Sequence, residues 1–155
     1  MRITLIRGSS RNRMAFLRRD GSTELADLGP QLPGHDLAHY VVERHLGMQR
    51  GFYGHLGMGF TVGQLSDKHV IRSLPPESMA AEILARALQS LAGGACTEEQ
   101  FAELAGQELA VHAPDYSVVL QEGQIRAMLG AYRQLLDRWE ALAEGGQLIL
   151  EWEPG

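Results

Sequence analysis

Residues 2–7, Arg-Ile-Thr-Leu-Ile-Arg, decide the fold class of this chain of 155 residues. Ile3 and Leu5 alternate with residues that point the other way, and an alternation of period two predicts a β-strand. A second alternating segment, 13–19, leads through an Asp-Gly turn into a third at 23–28. The start of the chain therefore predicts a three-stranded antiparallel meander.

The end of the chain repeats this pattern. Residues 147–153 place Leu148, Leu150 and Trp152 on one side, so we expect a further strand that rejoins the N-terminal sheet. The intervening patterns are helical, and we expect about five helices, near residues 36–46, 51–65, 76–92, 97–105 and 125–142. Strands at both ends with helices between them define an α+β fold. We expect one such domain over residues 1–155, a small antiparallel sheet with the helices packed on it.

The composition is typical of a globular protein, with 45% hydrophobic and 21% charged residues. The single cysteine, Cys96, cannot form an internal disulfide, so nothing calls for an oxidising compartment. The first residues do not form the apolar core of a signal peptide, and no stretch reaches the roughly 20 apolar residues of a membrane span. We therefore expect a cytoplasmic protein that does not enter a membrane.

Charge is distributed unevenly along the chain. The net charge is −5, but residues 1–19 contain 6 arginines and no acid, which leaves 8 basic and 19 acidic side chains, or −11, in the rest. An acidic surface disfavours nucleic-acid binding. In the loop 8–13, Arg11 and Arg13 stand close to two serines, and guanidinium and hydroxyl groups bind phosphate. This loop is a candidate site for a small anion.

The densest group of chemically reactive residue types lies in the segment PGHDLAHYVVERHLG, residues 33–47. On a helix, residues four apart lie one above the other, so His35, His39 and Glu43 share one stripe. Imidazole and carboxylate groups at this spacing can chelate one divalent ion such as zinc. His35, His39 and Glu43 are therefore candidate metal ligands, and Asp36 and Glu43 are candidate catalytic acids or bases.

The string His-Asp-Leu-Ala-His at residues 35–39 resembles the HExxH helix of zinc metallopeptidases, and the resemblance covers 5 residues of 155. In that family two histidines bind zinc and the glutamate between them is the general base. The resemblance implies that His35 and His39 are ligands and that Asp36, in place of the glutamate, is the base. A further ligand would come from elsewhere, and His55 or Glu43 are the candidates.

Structural roles for the same residues give the competing interpretation. Asp36 follows a Pro-Gly pair, a position typical of an N-cap whose carboxylate accepts from a backbone N–H in the first turn. A helix that begins there would leave His35 outside it. His55, beside aromatic residues and glycines, is typical of a hydrogen-bonded core histidine. It would face His39 only if the helices on either side of residues 47–50 pack as an antiparallel pair.

Two functions from different classes follow from these interpretations. The first is a divalent-metal-binding protein or metal-dependent hydrolase built on residues 35–43, and the sequence leaves open whether it is an enzyme. The second is a non-enzymatic binding or assembly module, a homodimer, in which that helix is purely structural. Any exposed part of the apolar stripe at 125–142 would suit the dimer interface. The first function predicts bound metal and the second predicts none.

Overall fold

A four-stranded antiparallel sheet is built from both ends of the chain. The computed structural model, which describes residues 1–153, places the strands at Arg2–Ile6 (β1), Asn12–Leu17 (β2), Thr23–Gly29 (β3) and Gln147–Glu151 (β4). Their order in the sheet is β3-β2-β1-β4, and every neighbouring pair is antiparallel. The α+β class, the N-terminal meander and the return of the C-terminal strand are confirmed.

One face of the sheet carries the core. Ile3 of β1 pairs with Phe16 of β2 and with Leu150 of β4, and Leu5 pairs with Met14 in the same way. All of these side chains are buried, whereas the residues that alternate with them are partly or fully exposed. The helices therefore cover one face of the sheet and leave the other face open.

The helices number seven among residues 1–153, where the sequence predicted about five. They are Gly34–His45 (α1), Phe52–Gly57 (α2), Val62–Leu65 (α3), Lys68–Ser73 (α4), Pro76–Ala92 (α5), Glu98–His112 (α6) and Glu122–Glu140 (α7). The single helix expected over 51–65 is wrong, because Gly59 adopts a φ of 104° that ends the first helix. Thr61 then begins the second with a capping box.

The long helices α1, α5 and α7 pack against one another over the sheet. The apolar stripe of α7 is buried, including Ile125, Met128, Tyr132 and Trp139. This stripe is part of the core, and little of it is exposed. In the described part of the chain, none of the helices has the length and apolar character that crossing a membrane requires.

Candidate metal centre

Helix α1 begins three residues earlier than the capping interpretation required. Pro33 occupies the N-cap, no side chain caps the helix, and the Leu37 N–H donates to the Pro33 carbonyl at 3.0 Å. The expectation that Asp36 is the N-cap is therefore wrong. Because His35 lies inside the first turn, the four-residue spacing to His39 holds, and the centroids of the two rings lie 4.7 Å apart.

A glutamate from another helix meets the two histidines. Glu82 on α5 places its Oε2 atom 3.1 Å from His35 Nε2 and 3.0 Å from His39 Nε2. Helices α1 and α5 pack against each other, and each contains a completely buried alanine, Ala38 on α1 and Ala81 on α5. One ligating atom from each of His35, His39 and Glu82 lies within 4.8 Å of the other two.

These separations are ordinary hydrogen-bond distances, and they also match the spacing of two ligands around one metal ion. With bonds of about 2.1 Å, two ligands at 90° lie about 3.0 Å apart and two at the tetrahedral angle about 3.4 Å apart. The two Nε2–Oε2 distances of 3.1 and 3.0 Å agree with the lower end of that range. Two histidines and one carboxylate also form a known ligand set for zinc and for non-haem iron.

Both imidazole rings are oriented from behind through their Nδ1 atoms. The Nδ1 of His39 lies 3.0 Å from Glu43 Oε1, and the Nδ1 of His35 lies 2.8 Å from Gln89 Oε1. A carboxylate or amide oxygen in this position accepts the Nδ1–H and leaves Nε2 as the atom that faces the metal. Both rings therefore direct Nε2 to Glu82.

Glu43 lies behind His39 rather than beside the ligating atoms. Its carboxylate is completely buried and accepts hydrogen bonds from the backbone N–H groups of Phe52, Tyr53 and Gly54 at 2.8, 3.0 and 3.3 Å. A Cβ on Gly51 would overlap this carboxylate, so only glycine fits there. The start of α2 thus holds the negative charge that orients His39.

When no metal is bound, hydrogen bonds from the protonated histidines to the carboxylates hold the cluster together. Burial of the His39 ring lowers its pKa, but hydrogen bonds to Glu43 and Glu82 outweigh burial and raise the pKa to about 9. The hydrogen bond to Glu82 likewise raises the pKa of His35. The hydrogen bonds from His35 and His39 hold the pKa of Glu82 well below its usual range. A metal ion bound here would take the place of the Nε2 protons.

A cleft of about 460 Å³ opens beside the cluster, and His39 and Glu82 form part of its wall. This volume lies within the range of small-molecule sites. The side chains of His35 and Glu82 are 43% and 41% exposed, so an ion between them could be reached from solvent. Apolar residues form much of the remaining lining, and the other polar residues around it are Arg72, Ser78, His112 and Asp115.

The remaining candidate residues lie apart from the three ligating atoms. Asp36 is partly buried next to the histidines, and its side chain makes no hydrogen bond to another residue among 1–153. Burial raises the pKa of Asp36, while His35 and His39 act in the opposite direction. His55 is buried, with its Nδ1 atom 2.8 Å from the Gly51 carbonyl and its ring against Phe60, so it belongs to the core beside α2.

The candidate anion loop has a partner of its own. Arg11 forms two hydrogen bonds to the Asp27 carboxylate, at 2.8 and 2.9 Å, and Arg13 is exposed. The Asn12 side chain joins Gly8 to Gln31 and fixes the shape of the loop. An anion here would have to compete with Asp27 for the Arg11 guanidinium.

Sequence reasoning did not identify Glu82 and Gln89, the two residues of α5 that complete the cluster. They lie seven residues apart, which is two helical turns, and therefore on the same side of α5. That pairing of polar residues beside an apolar stripe is the one signal the sequence contains. It does not indicate which helix the two residues face.

Comparisons of the chain with models of protein families, with curated proteins and with solved structures find no match. No relative supplies a reaction, a ligand or a partner for the cluster.

Proposed function

We propose that this protein binds one divalent transition-metal ion through His35 Nε2, His39 Nε2 and the Glu82 carboxylate. The observation that carries the proposal is the convergence of both Nε2 atoms on one Glu82 oxygen, at 3.1 and 3.0 Å. Glu43 and Gln89 support it, because they hold the two rings through Nδ1. The proposal keeps His35 and His39 as ligands, replaces Glu43 with Glu82, and gives Glu43 a positioning role.

A hydrolytic reaction is the activity that this ligand set supports best. Three protein ligands leave a coordination position for water, and a bound divalent ion brings the pKa of that water to about 7. The cleft next to His39 and Glu82 supplies space for a small substrate. Asp36 remains the candidate acid or base, because its carboxylate lies near both histidines and makes no hydrogen bond to another of the described residues.

The second candidate function is the non-enzymatic module, and one observation favours it. Among residues 1–153, every buried side-chain nitrogen and oxygen already has a hydrogen-bond partner. If the protein is such a module, Glu82 is a hydrogen-bonded clamp that joins α5 to His35 and His39 of α1. The two functions make opposite predictions for metal content.

Elemental analysis of the purified, untagged protein separates the two. If the protein binds metal, it should contain close to one zinc, iron, manganese, cobalt or nickel ion per chain. The ion should be present either in the protein as purified or after incubation with that ion followed by dialysis. His39→Ala and Glu82→Gln should each remove it. The control is His45→Ala. This histidine is on the same helix, but its Nδ1 atom is hydrogen-bonded to the Val41 carbonyl and it is not one of the proposed ligands.

The controls define the result that rejects the metal centre. His45→Ala should keep the metal content of the parent protein. Metal that persists in both His39→Ala and Glu82→Gln would place any ion elsewhere. No metal in the parent protein, even after incubation with each ion, would favour the hydrogen-bonded clamp. Circular dichroism of each variant confirms that the fold is retained.

A further inference from the structure

A tyrosine from a third helix reaches the metal centre through Gln89. Tyr132 belongs to the buried stripe of α7 and is 4% exposed, so water does not compete for its hydroxyl. Its O–H donates to the carbonyl of Gly34, the residue before His35, at 3.1 Å. We propose that Tyr132 is a positioning residue, which sets the orientation of the Gln89 amide and thereby the ring nitrogen that His35 offers to a metal. This inference rests on the metal-binding function proposed above.

The Gln89 amide can face His35 in two ways. Its oxygen and its NH₂ group have nearly the same shape, so a rotation of about 180° exchanges an acceptor for a donor. When Oε1 faces His35 Nδ1, as it does at 2.8 Å, the neutral ring carries its proton on Nδ1 and keeps the Nε2 lone pair for a metal. If the NH₂ group faced Nδ1, the proton of the neutral ring would lie on Nε2. The second orientation would therefore block the atom proposed to bind the metal.

The other histidine of the cluster does not have this ambiguity. His39 Nδ1 faces the Glu43 carboxylate at 3.0 Å, and an ionised carboxylate accepts through both of its oxygens. Glu43 therefore orients its ring in either rotation of the carboxylate. Gln89 does so in only one rotation of the amide, and it needs a second contact that selects that rotation.

The Tyr132 oxygen supplies this second contact. Because its proton is donated to the Gly34 carbonyl, the oxygen offers lone pairs to a donor. A Cβ on Gly34 would lie 3.1 Å from the Tyr132 oxygen and 3.6 Å from Gln89 Nε2, so the amide nitrogen lies on this side. Burial raises the pKa of Tyr132, and a hydrogen bond from Gln89 acts in the opposite direction, as it does when the phenol oxygen is the acceptor. A reversed amide would instead place two acceptor oxygens against each other.

Tyr132→Phe removes the hydroxyl and keeps the ring. The Kd for Zn²⁺, measured by competition with a metal-binding dye, should rise about 3- to 10-fold, which is less than the usual 10- to 100-fold for a direct partner of a ligand. Tyr40→Phe is the matched control, because Tyr40 is also a buried tyrosine whose hydroxyl donates to a backbone carbonyl, that of Glu151, at 3.0 Å. This control should leave the Kd within about twofold of the parent value, because its hydroxyl does not contact Gln89.

Gln89→Glu separates the positioning role from a general loosening of the fold. A glutamate accepts from His35 Nδ1 in either rotation, so Tyr132→Phe in the Gln89→Glu background should raise the Zn²⁺ Kd by no more than about twofold. An equal rise in both backgrounds would mean that the hydroxyl acts only through the fold, and it would overturn the inference. An unchanged Kd in the single variant Tyr132→Phe would overturn it as well.

NMR of the metal-free protein tests the orientation of the amide without any metal. The Gln89 NH₂ protons should give stronger nuclear Overhauser effects to the ring protons of Tyr132 than to those of His35. The reverse order would show that the amide faces the other way and would reject the inference. A parent protein that shows the expected order but binds no Zn²⁺ would reject the metal centre and leave the contact between Tyr132 and Gln89 in place, so the two failures are distinguishable.

Discussion

Replacing Glu43 by glutamine tests whether a buried carboxylate organises both the metal centre and the start of α2. The two side chains have nearly the same shape, so the substitution removes charge and one acceptor group without leaving a cavity. In the folded protein the carboxylate receives four hydrogen bonds, from the backbone N–H groups of Phe52, Tyr53 and Gly54 and from His39 Nδ1. A glutamine side chain can accept hydrogen bonds only from the donors that face its single oxygen. Its NH₂ group would face the remaining donors.

The four hydrogen bonds determine the size of the effect. At least one buried donor loses its acceptor, and an unsatisfied buried group costs about 1 to 3 kcal/mol. Because the acceptor is charged and two donors lie on the side that becomes NH₂, we expect a loss of about 2 to 5 kcal/mol in the free energy of unfolding. The affinity for metal should also fall by about 10- to 100-fold, the usual consequence of removing a group that orients a histidine ligand.

Urea unfolding followed by the fluorescence of Trp139 and Trp152 measures the first effect, and competition with a metal-binding dye measures the second. Glu144→Gln is the matched control, because Glu144 is exposed in the loop before β4 and should change neither quantity. A Glu43→Gln variant within about 0.5 kcal/mol of the parent protein, with unchanged metal affinity, would refute the role given to this carboxylate.

Three further predictions follow from the same contacts. Gly51→Ala should lower the free energy of unfolding by about 1 to 3 kcal/mol, because its methyl group would overlap Glu43. Gly123→Ala is the control, because the space around Gly123 is open, and it should be neutral or stabilising. Urea titration measures the free energy of unfolding of both variants. In the metal-free protein, the pKa of His39 is raised from 6.5 to about 9, so its stabilisation is fully present below pH 6.5 and is lost as the pH rises through 9. The free energy of unfolding should fall by on the order of 3 kcal/mol between pH 6 and pH 10, and in His39→Gln only the smaller loss that comes from His35 should remain. Removing the metal with a chelator should lower the Tm of the metal-loaded protein, because an ion at 100 times its Kd contributes about 2.7 kcal/mol to the free energy of unfolding. The same chelator should leave the Tm of His39→Ala unchanged.

The strands and the long helices could be predicted from the sequence because each has a local cause. Alternation of Ile3 and Leu5 with their neighbours defined β1, and the apolar spacing from Ile125 to Trp139 defined α7. The short helices were harder, because four to six residues contain too little periodicity. Gly59 illustrates this: its positive φ ends α2 with a chain reversal, which the sequence shows only as one glycine among several.

The candidate site could be predicted only as far as one helix extends. His35 and His39 share a stripe of α1 by spacing alone, and the structure brings their Nε2 atoms together. Glu82 follows His35 by 47 positions and reaches it through the packing of α1 on α5, which no local pattern shows. Glu43 shares the stripe but faces the N–H groups of α2, because Gly51 lets that chain segment come within hydrogen-bonding distance.

X-ray diffraction at the absorption edge of the bound metal tests the central claim most directly. Crystals of the metal-loaded protein should give one anomalous peak at about 2.0 to 2.2 Å from His35 Nε2, His39 Nε2 and a Glu82 oxygen. Glu43 and Gln89 should keep their contacts with the two Nδ1 atoms. A peak at another position, or density in which Glu82 remains hydrogen-bonded to both rings with no anomalous signal after soaking, would contradict the metal centre.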